Sequence, residues 1–168
     1  MGIPGVLDRY REAIEHTPVI SSKPIFRIHA ELAEIIHLGA TPYGDRRIVP
    51  ITGGQVEGER LTGRILPGGA DWQIVRADGA ADIQARYTIE TQAGARILVS
   101  SDGLRHGPAD VIARLARGEE VDPDRYYFRT VLRFETSHPS VDWLNRILAL
   151  ARGARHAQAV DLDVHEVL

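Results

Sequence analysis

From Pro24 onward the chain alternates apolar and polar residues with a period of two, and this pattern limits its fold more than any other feature. In Phe26-Arg27-Ile28-His29-Ala30-Glu31-Leu32 the alternation is strict, as on a strand with one face buried and the other wet. Similar segments follow at Ile48 to Val56, Leu61 to Leu66, Asp71 to Arg76, Ala81 to Thr91, Ala95 to Ser101, Tyr126 to Thr136, Arg146 to Arg152 and Val160 to Val167. Turn chemistry marks many of the joints: Gly53-Gly54, Gly58, Gly68-Gly69, Asp78-Gly79 and Ala93-Gly94, because glycine and Asx residues accept the backbone angles of tight turns. A meander of about nine short strands leaves unpaired edges unless it closes on itself. The expected fold is therefore mostly β, an antiparallel meander barrel around a cavity.

Two helices interrupt the strands. Ile3, Leu7, Tyr10 and Ile14 recur every three or four residues, Pro4 suits a first helical turn and Pro18 stops the pattern, which predicts an amphipathic helix over Pro4 to Glu15. Its apolar stripe needs a partner surface, either a barrel mouth or a second copy in a homodimer. The other helix spans Pro108 to Arg117, with Asp110 in its first turn, Val111, Ile112 and Leu115 as its stripe and Gly118 after its end; it reads as a cap on the barrel. The chain thus divides into residues 1–18, the N-terminal helix, and residues 19–168, the barrel domain.

Composition narrows the function classes. The 168 residues, 43% hydrophobic and 26% charged, suffice for one core. Twenty basic against 23 acidic residues give a net charge of −3 with no basic block, so nucleic acid is not an expected partner. There is no cysteine, which excludes disulfides and thiolate chemistry and points to a reducing compartment, the cytoplasm. No export signal or long apolar run is apparent, so no membrane partner is expected.

Each candidate chemistry competes with a structural role. Gly53-Gly54 and Gly68-Gly69 fit neither a dinucleotide nor a Walker pattern, and bulges or corner turns account for them better. His29 with Glu31, or Asp161, Asp163 and His165, share a strand face at ligand spacing. A terminal strand with Leu162 and Val164 facing inward would instead put the latter three in water. No G-x-S-x-G elbow surrounds Ser100, Ser101 or Ser137. More informative is a surplus of Arg, Asp, Glu, Tyr and Trp within strands: Asp71-Trp72, Arg86-Tyr87, Tyr126-Tyr127-Phe128-Arg129 and Phe134-Glu135. An aromatic wall with a few convergent polar groups is how small-molecule pockets are built. The alternative is that Arg86, Arg129 and Glu135 decorate the outer face, since Ile83, Ala85, Tyr87 and Ile89 make a good inner face alone.

At these residues the chain resembles the domain of unknown function 3237 family, also called uncharacterised protein family 0311. The matching stretches are Gly39-Ala40-Thr41-Pro42-x-Gly44, Arg47 to Gly54, Leu66-Pro67-Gly68-Gly69-Ala70-Asp71-Trp72-Gln73, Ala85-Arg86-Tyr87, Tyr127-Phe128-Arg129, Phe134-Glu135-Thr136 and Trp143-Leu144-Asn145. The resemblance runs from about Pro24 to Val167 and leaves the N-terminal helix outside it. It implies a barrel similar to the lipocalin and streptavidin class and carries no established activity. The motif residues it marks are Asp71, Trp72, Arg86, Tyr87, Tyr127, Arg129, Glu135, Trp143 and Asn145, of which Trp143-Leu144-Asn145 looks like a corner plugging the barrel end.

Two readings of function follow. In the first, the barrel is a cofactor-independent isomerase, cyclase or lyase: Asp71 or Glu135 moves a proton, and Trp72, Arg86, Tyr87, Tyr127 and Arg129 hold an apolar or aromatic, oxygen-bearing substrate. In the second, the same pocket sequesters a small hydrophobic ligand without turning it over. Neither reading needs a metal or a cofactor. Chelator treatment is accordingly expected to leave the melting temperature unchanged, and elemental analysis showing one equivalent of tightly held zinc or iron would overturn that expectation.

Overall fold

The computed structural model describes residues 5–15 and 20–168. Ten strands form one antiparallel sheet: β1 (Ser22–Leu32), β2 (Ile36–Thr41), β3 (Gly44–Glu57), β4 (Thr62–Ile65), β5 (Gly69–Val75), β6 (Ala81–Thr91), β7 (Arg96–His106), β8 (Tyr127–Glu135), β9 (Ala149–Arg155) and β10 (Ala159–Val167). The period of two becomes burial directly. Along β8, Phe128, Thr130, Leu132 and Phe134 are buried while Tyr127, Arg129, Val131, Arg133 and Glu135 are exposed.

The sheet closes on itself. Neighbours run β1, β10, β9, β8, β7, β6; then β4 and β5 share one position between β6 and β3, and β3 pairs with β1. Counting β4 with β5 as one, the barrel has eight strand positions. β2 extends the wall beyond β1, pairing with the first half of β3, whose second half pairs with β1. Gly53-Gly54 lies where the β1–β3 register shifts, and Gly68, with a φ of 108°, turns the chain into β5.

The two ends of the barrel differ. At one end Phe26 and Phe134 meet edge to face at 5.8 Å, and Ile89, Ile97 and Leu144 are fully buried. A 3-10 helix, Pro139–Arg146, covers this end. Asn145 accepts the Thr136 backbone N–H and donates to the Thr136 carbonyl, both at 2.9 Å, and Arg60 stacks 3.7 Å from the Trp143 ring centre. Toward the other end the inward residues are small, including Ala81, Ala85, Ala151, Gly103 and Gly153, so the interior is not filled. There α2 (Ala109–Ala116) lies across the barrel, burying Val111 and Leu115. His156, Nδ1 at 2.9 Å from Glu120 and Nε2 at 3.2 Å from Asp161, ties the segment after α2 to β10.

Several boundaries differ from the sequence expectation. β2 lies outside the expected strands: its alternation, Ile36-His37-Leu38, is only three residues long before Gly39, and both apolar side chains are exposed. Arg146 belongs to the 3-10 helix and not to a strand. β3 begins at Gly44, ahead of the expected Ile48, and β7 runs on to His106 and β9 to Arg155, beyond the expected ends at Ser101 and Arg152. The N-terminal helix α1 spans Val6–Glu15, with Leu7, Tyr10 and Ile14 exposed; Ile3, Pro4 and Pro18 lie outside the described residues. No helix among the described residues is long and apolar enough to cross a membrane.

The continuation of β7 depends on Gly103, where any Cβ would overlap the Arg129 carbonyl and the Thr130 side chain on β8. Gly103→Val is expected to cost at least about 2 kcal/mol, which is roughly 4–8 °C in melting temperature for a chain of this size. Arg133→Ala on the exposed face of β8 should stay within about 0.5 kcal/mol. Equal melting temperatures for Gly103→Val and the wild type would show that the strands need not approach so closely.

Candidate functional site

The unfilled end holds a cavity of about 770 Å³, within the range of roughly 300–1,000 Å³ typical of small-molecule sites. Most of its wall is apolar, with Val49 and Ile51 contributing from β3, Ile83 and Ala85 from β6, and Ile112 and Leu115 from α2. Into this wall five polar side chains are set close together: Arg47, Asp71, Gln73, Arg105 and Arg155.

Asp71 and Gln73 face inward because they are two apart on β5, with Trp72 between them facing out. Asp71 is 8% exposed. Its Oδ1 accepts the Gln84 backbone N–H at 2.8 Å and its Oδ2 accepts from Gln73 Nε2 at 2.6 Å. The β5–β6 ladder passes from Asp71 opposite Ala85 to Ile74 opposite Asp82, and Asp71 supplies the acceptor for Gln84 within that interval. Gln73 in turn accepts from Arg47 Nε at 2.7 Å through its Oε1; the two residues face each other across β3 and β5. The result is a chain from Arg47 through Gln73 to Asp71.

Burial raises the Asp71 pKa above the usual carboxylate value, although the two hydrogen bonds and the Arg105 and Arg47 charges pull the other way. The arginines feel the same medium. Burial, then repulsion from Arg47 and Arg155, pushes Arg105 down to about 10, so it remains a cation at neutral pH. Arg47 and Arg155 are lowered mainly by burial as well. Tyr87 and Thr130 also line the cavity, and each hydroxyl is buried without a hydrogen-bond partner among the described residues. Burial alone raises the Tyr87 pKa, so the phenol stays neutral.

Of the seven site residues expected from sequence, the fold brings Asp71 and Tyr87 together in the cavity wall and places the others outside it. Trp72 and Tyr127 are 40% and 44% exposed. Arg86 donates from Nη1 to the Ala85 carbonyl at 2.8 Å and to Asp102 at 3.2 Å. Arg129 donates to the Phe128 carbonyl and lies over the Tyr127 ring, which stacks on His106. Glu135 is exposed at the end of β8. The physical reason is parity: inward Tyr87 and Phe128 force their chain neighbours outward. His29 also faces out, its Nδ1 2.6 Å from Asp161, which accepts from Arg27 at 3.0 Å. Among the described residues no group of three His, Asp or Glu could hold a metal. Sequence reasoning missed Arg47, Gln73, Arg105 and Arg155. The available signal was continuation of strand parity: Arg105 follows Ser101 and Gly103 in phase.

Residues 20–167 match the family described as Protein of unknown function (DUF3237), so α1 lies outside the match. A UPF0311 protein of Rhodopseudomonas palustris is 45% identical over 152 residues, covering 90% of this chain and 99% of the relative. A solved β-barrel-like protein from Acinetobacter baumannii AYE is 43% identical, with a TM-score of 0.80 over 91% of this chain and 99% of that one. A solved enzyme from Penicillium herquei is similar in fold, with a TM-score of 0.68 at 19% identity over 90% of this chain and 98% of that one.

Because Asp71 holds its proton more tightly folded than unfolded, the stability it contributes is fully present below the ordinary carboxylate value and is lost as pH rises through its raised folded value. Asp71→Asn does not titrate. The melting temperature of the variant minus that of the wild type is therefore expected to rise between about pH 4 and pH 7. A difference that is flat or falls over this range would show that burial does not dominate at Asp71.

Proposed function

Since the chain belongs to the DUF3237 family, whose description names no activity, its function must be sought in the cavity, and we propose a cofactor-independent acid–base enzyme. Isomerisation, cyclisation and elimination of an apolar or aromatic, oxygen-bearing molecule are the reactions that suit it, since each needs a proton taken from one atom and returned to another. The observation that carries this reading is Asp71, a carboxylate buried in the wall of an otherwise largely apolar cavity, where exclusion of water draws its pKa up toward working pH. Tyr87, neutral and unpartnered in the same wall, is a donor for a substrate oxygen. Of the residues singled out in the sequence, the reading uses these two.

Two further observations support it. The strand order is that of an up-and-down barrel, the arrangement in which lipocalins and streptavidin enclose small ligands. A barrel of this fold also belongs to an enzyme in Penicillium herquei. One observation favours a second reading, a non-catalytic binding protein: both Asp71 oxygens already accept hydrogen bonds, from Gln73 and Gln84, which is what a carboxylate placed to organise the wall would do.

The two readings separate in a panel of hydroxy- and keto-substituted aromatic compounds incubated with the protein in D2O and followed by mass spectrometry for deuterium uptake, ring closure or elimination. The enzyme reading expects turnover of at least one compound, and Asp71→Asn to lower it by roughly 10² or more while affinity stays within a few-fold. Undiminished turnover by Asp71→Asn would overturn it, and binding without turnover across the panel would favour the binder.

A further inference from the structure

Four guanidiniums, Arg47, Arg105, Arg117 and Arg155, and two carboxylates, Glu34 and Asp71, line the cavity, so the wall carries two positive charges in excess with Asp71 ionised and three with it protonated; Glu34 and Arg117 are exposed, whereas the other four are withdrawn from water. Buried charge without a partner is unfavourable in proportion to the water it has lost. Arg47 and Arg155 are partly satisfied. Arg47 donates from Nε to Gln73, and Arg155 donates from Nη1 to the carbonyls of His156 and Ala159 at 2.6 and 3.0 Å. Arg105 is not: among the described residues its side chain makes neither a hydrogen bond nor an ion pair, and its guanidinium stands 5.9 Å from the Phe128 ring centre. Elsewhere the barrel partners its arginines readily, as at Arg64 and Arg96 on Glu90 or Arg114 and Arg117 on Glu119. An arginine left with free N–H donors in the wall of a cavity, beside two others, is a site for something negative.

Taking the cavity as a ligand site, as proposed above, we infer that its ligand is an organic anion whose charged oxygens are held by Arg105, with Arg47 and Arg155 adding to the field, while the apolar wall takes the uncharged body. The planar guanidinium offers paired N–H donors that match the two oxygens of a carboxylate or phosphate. Phe128, beneath Arg105, and Ile112 and Leu115 of α2 keep the surroundings poor in water, which strengthens the pairing. Asp71 enforces selectivity as well. A cationic ligand would meet three guanidiniums, and a dianion in contact with Asp71 would meet a like charge, which favours a single anionic group at the arginine side.

The test uses 2-naphthoate, 2-naphthyl phosphate and methyl 2-naphthoate, with affinity measured by calorimetry on the full chain. The expected result is that one of the two anions binds at least about tenfold more tightly than the neutral ester. A tighter naphthoate points to a carboxylate ligand and a tighter phosphate to a phosphate ester. Arg105→Gln should bring the anion and the ester to within about threefold of each other without weakening the ester, and Arg105→Lys should retain part of the preference. An ester that binds the wild type as well as both anions, anions that fail to bind below millimolar concentration, or a preference that survives in Arg105→Gln would each overturn the inference. If Arg105→Gln fails to fold, the wild-type comparison and Arg105→Lys still decide. A wild type with no charge preference whose turnover still depends on Asp71 overturns this inference alone. A preserved preference without turnover overturns the catalytic reading alone.

Discussion

The barrel depends on the pairing of β1 along both of its edges. Its residues Ser22 to Glu31 pair with β10, and Arg27 to Leu32 pair with β3, so first and last strands become neighbours and the ring closes, leaving β2, paired with β3 alone, as the open edge among the described residues. The approach of β3 to β1 requires glycine at position 54, where φ is 134° and a Cβ would strike the His29 carbonyl. Once the ring is closed, inside and outside are distinct for every strand, because a register slip of one residue would exchange the two faces. Ile28, with no exposed surface, shows how complete the separation is at β1.

Closure creates a lumen, and side-chain size decides how much of it is filled. Aromatic and branched residues pack the end covered by the 3-10 helix, whereas alanines and glycines line the wall toward α2. Gly103 and Gly153 are small for a local reason, since a Cβ on either would collide with β8: with Arg129 and Thr130 in one case, with the Phe128 ring in the other. Close approach of strands and empty space inside are therefore linked here. The cavity follows from how tightly the wall is drawn around it, and Asp71, buried beside its arginines, gains its altered proton affinity from the same enclosure.

Arginine serves two different purposes on the two faces. On the outside Arg27, Arg86, Arg96 and Arg152 form ion pairs that are substantially exposed; such pairs contribute about 0–1 kcal/mol each and mostly keep the outer wall wet. Inside, Arg47, Arg105 and Arg155 sit where water is scarce, so their charge is felt by whatever enters. Asp71 links the two purposes of the inner wall, since it completes the β5–β6 join through Gln84 while also facing the ligand space.

Much of the architecture could be read in one dimension. Alternation at Phe26 to Leu32, Ala81 to Thr91 and Tyr126 to Thr136 identified strands and their apolar faces, because the side-chain period of a strand is local and independent of what the strand packs against. Asp71 stands out in the sequence as one of the charged and aromatic residues set within strands, and alternation marks the inward face on which Tyr87 lies. The partners of Asp71 could not. Arg47, Arg105 and Arg155 come from three strands far apart in the chain, each at a strand end where glycine and charge disguise the alternation. Arg86, Arg129 and Glu135 are equally polar and equally mid-strand or terminal, and nothing local separates them from the arginines that turn inward. By itself the sequence determined that there would be a barrel wall with an apolar face. Only closure of that wall decided which charges share its interior, because strand extent and register, set by backbone contacts such as those at Gly54 and Gly103, assign each side chain to one face or the other.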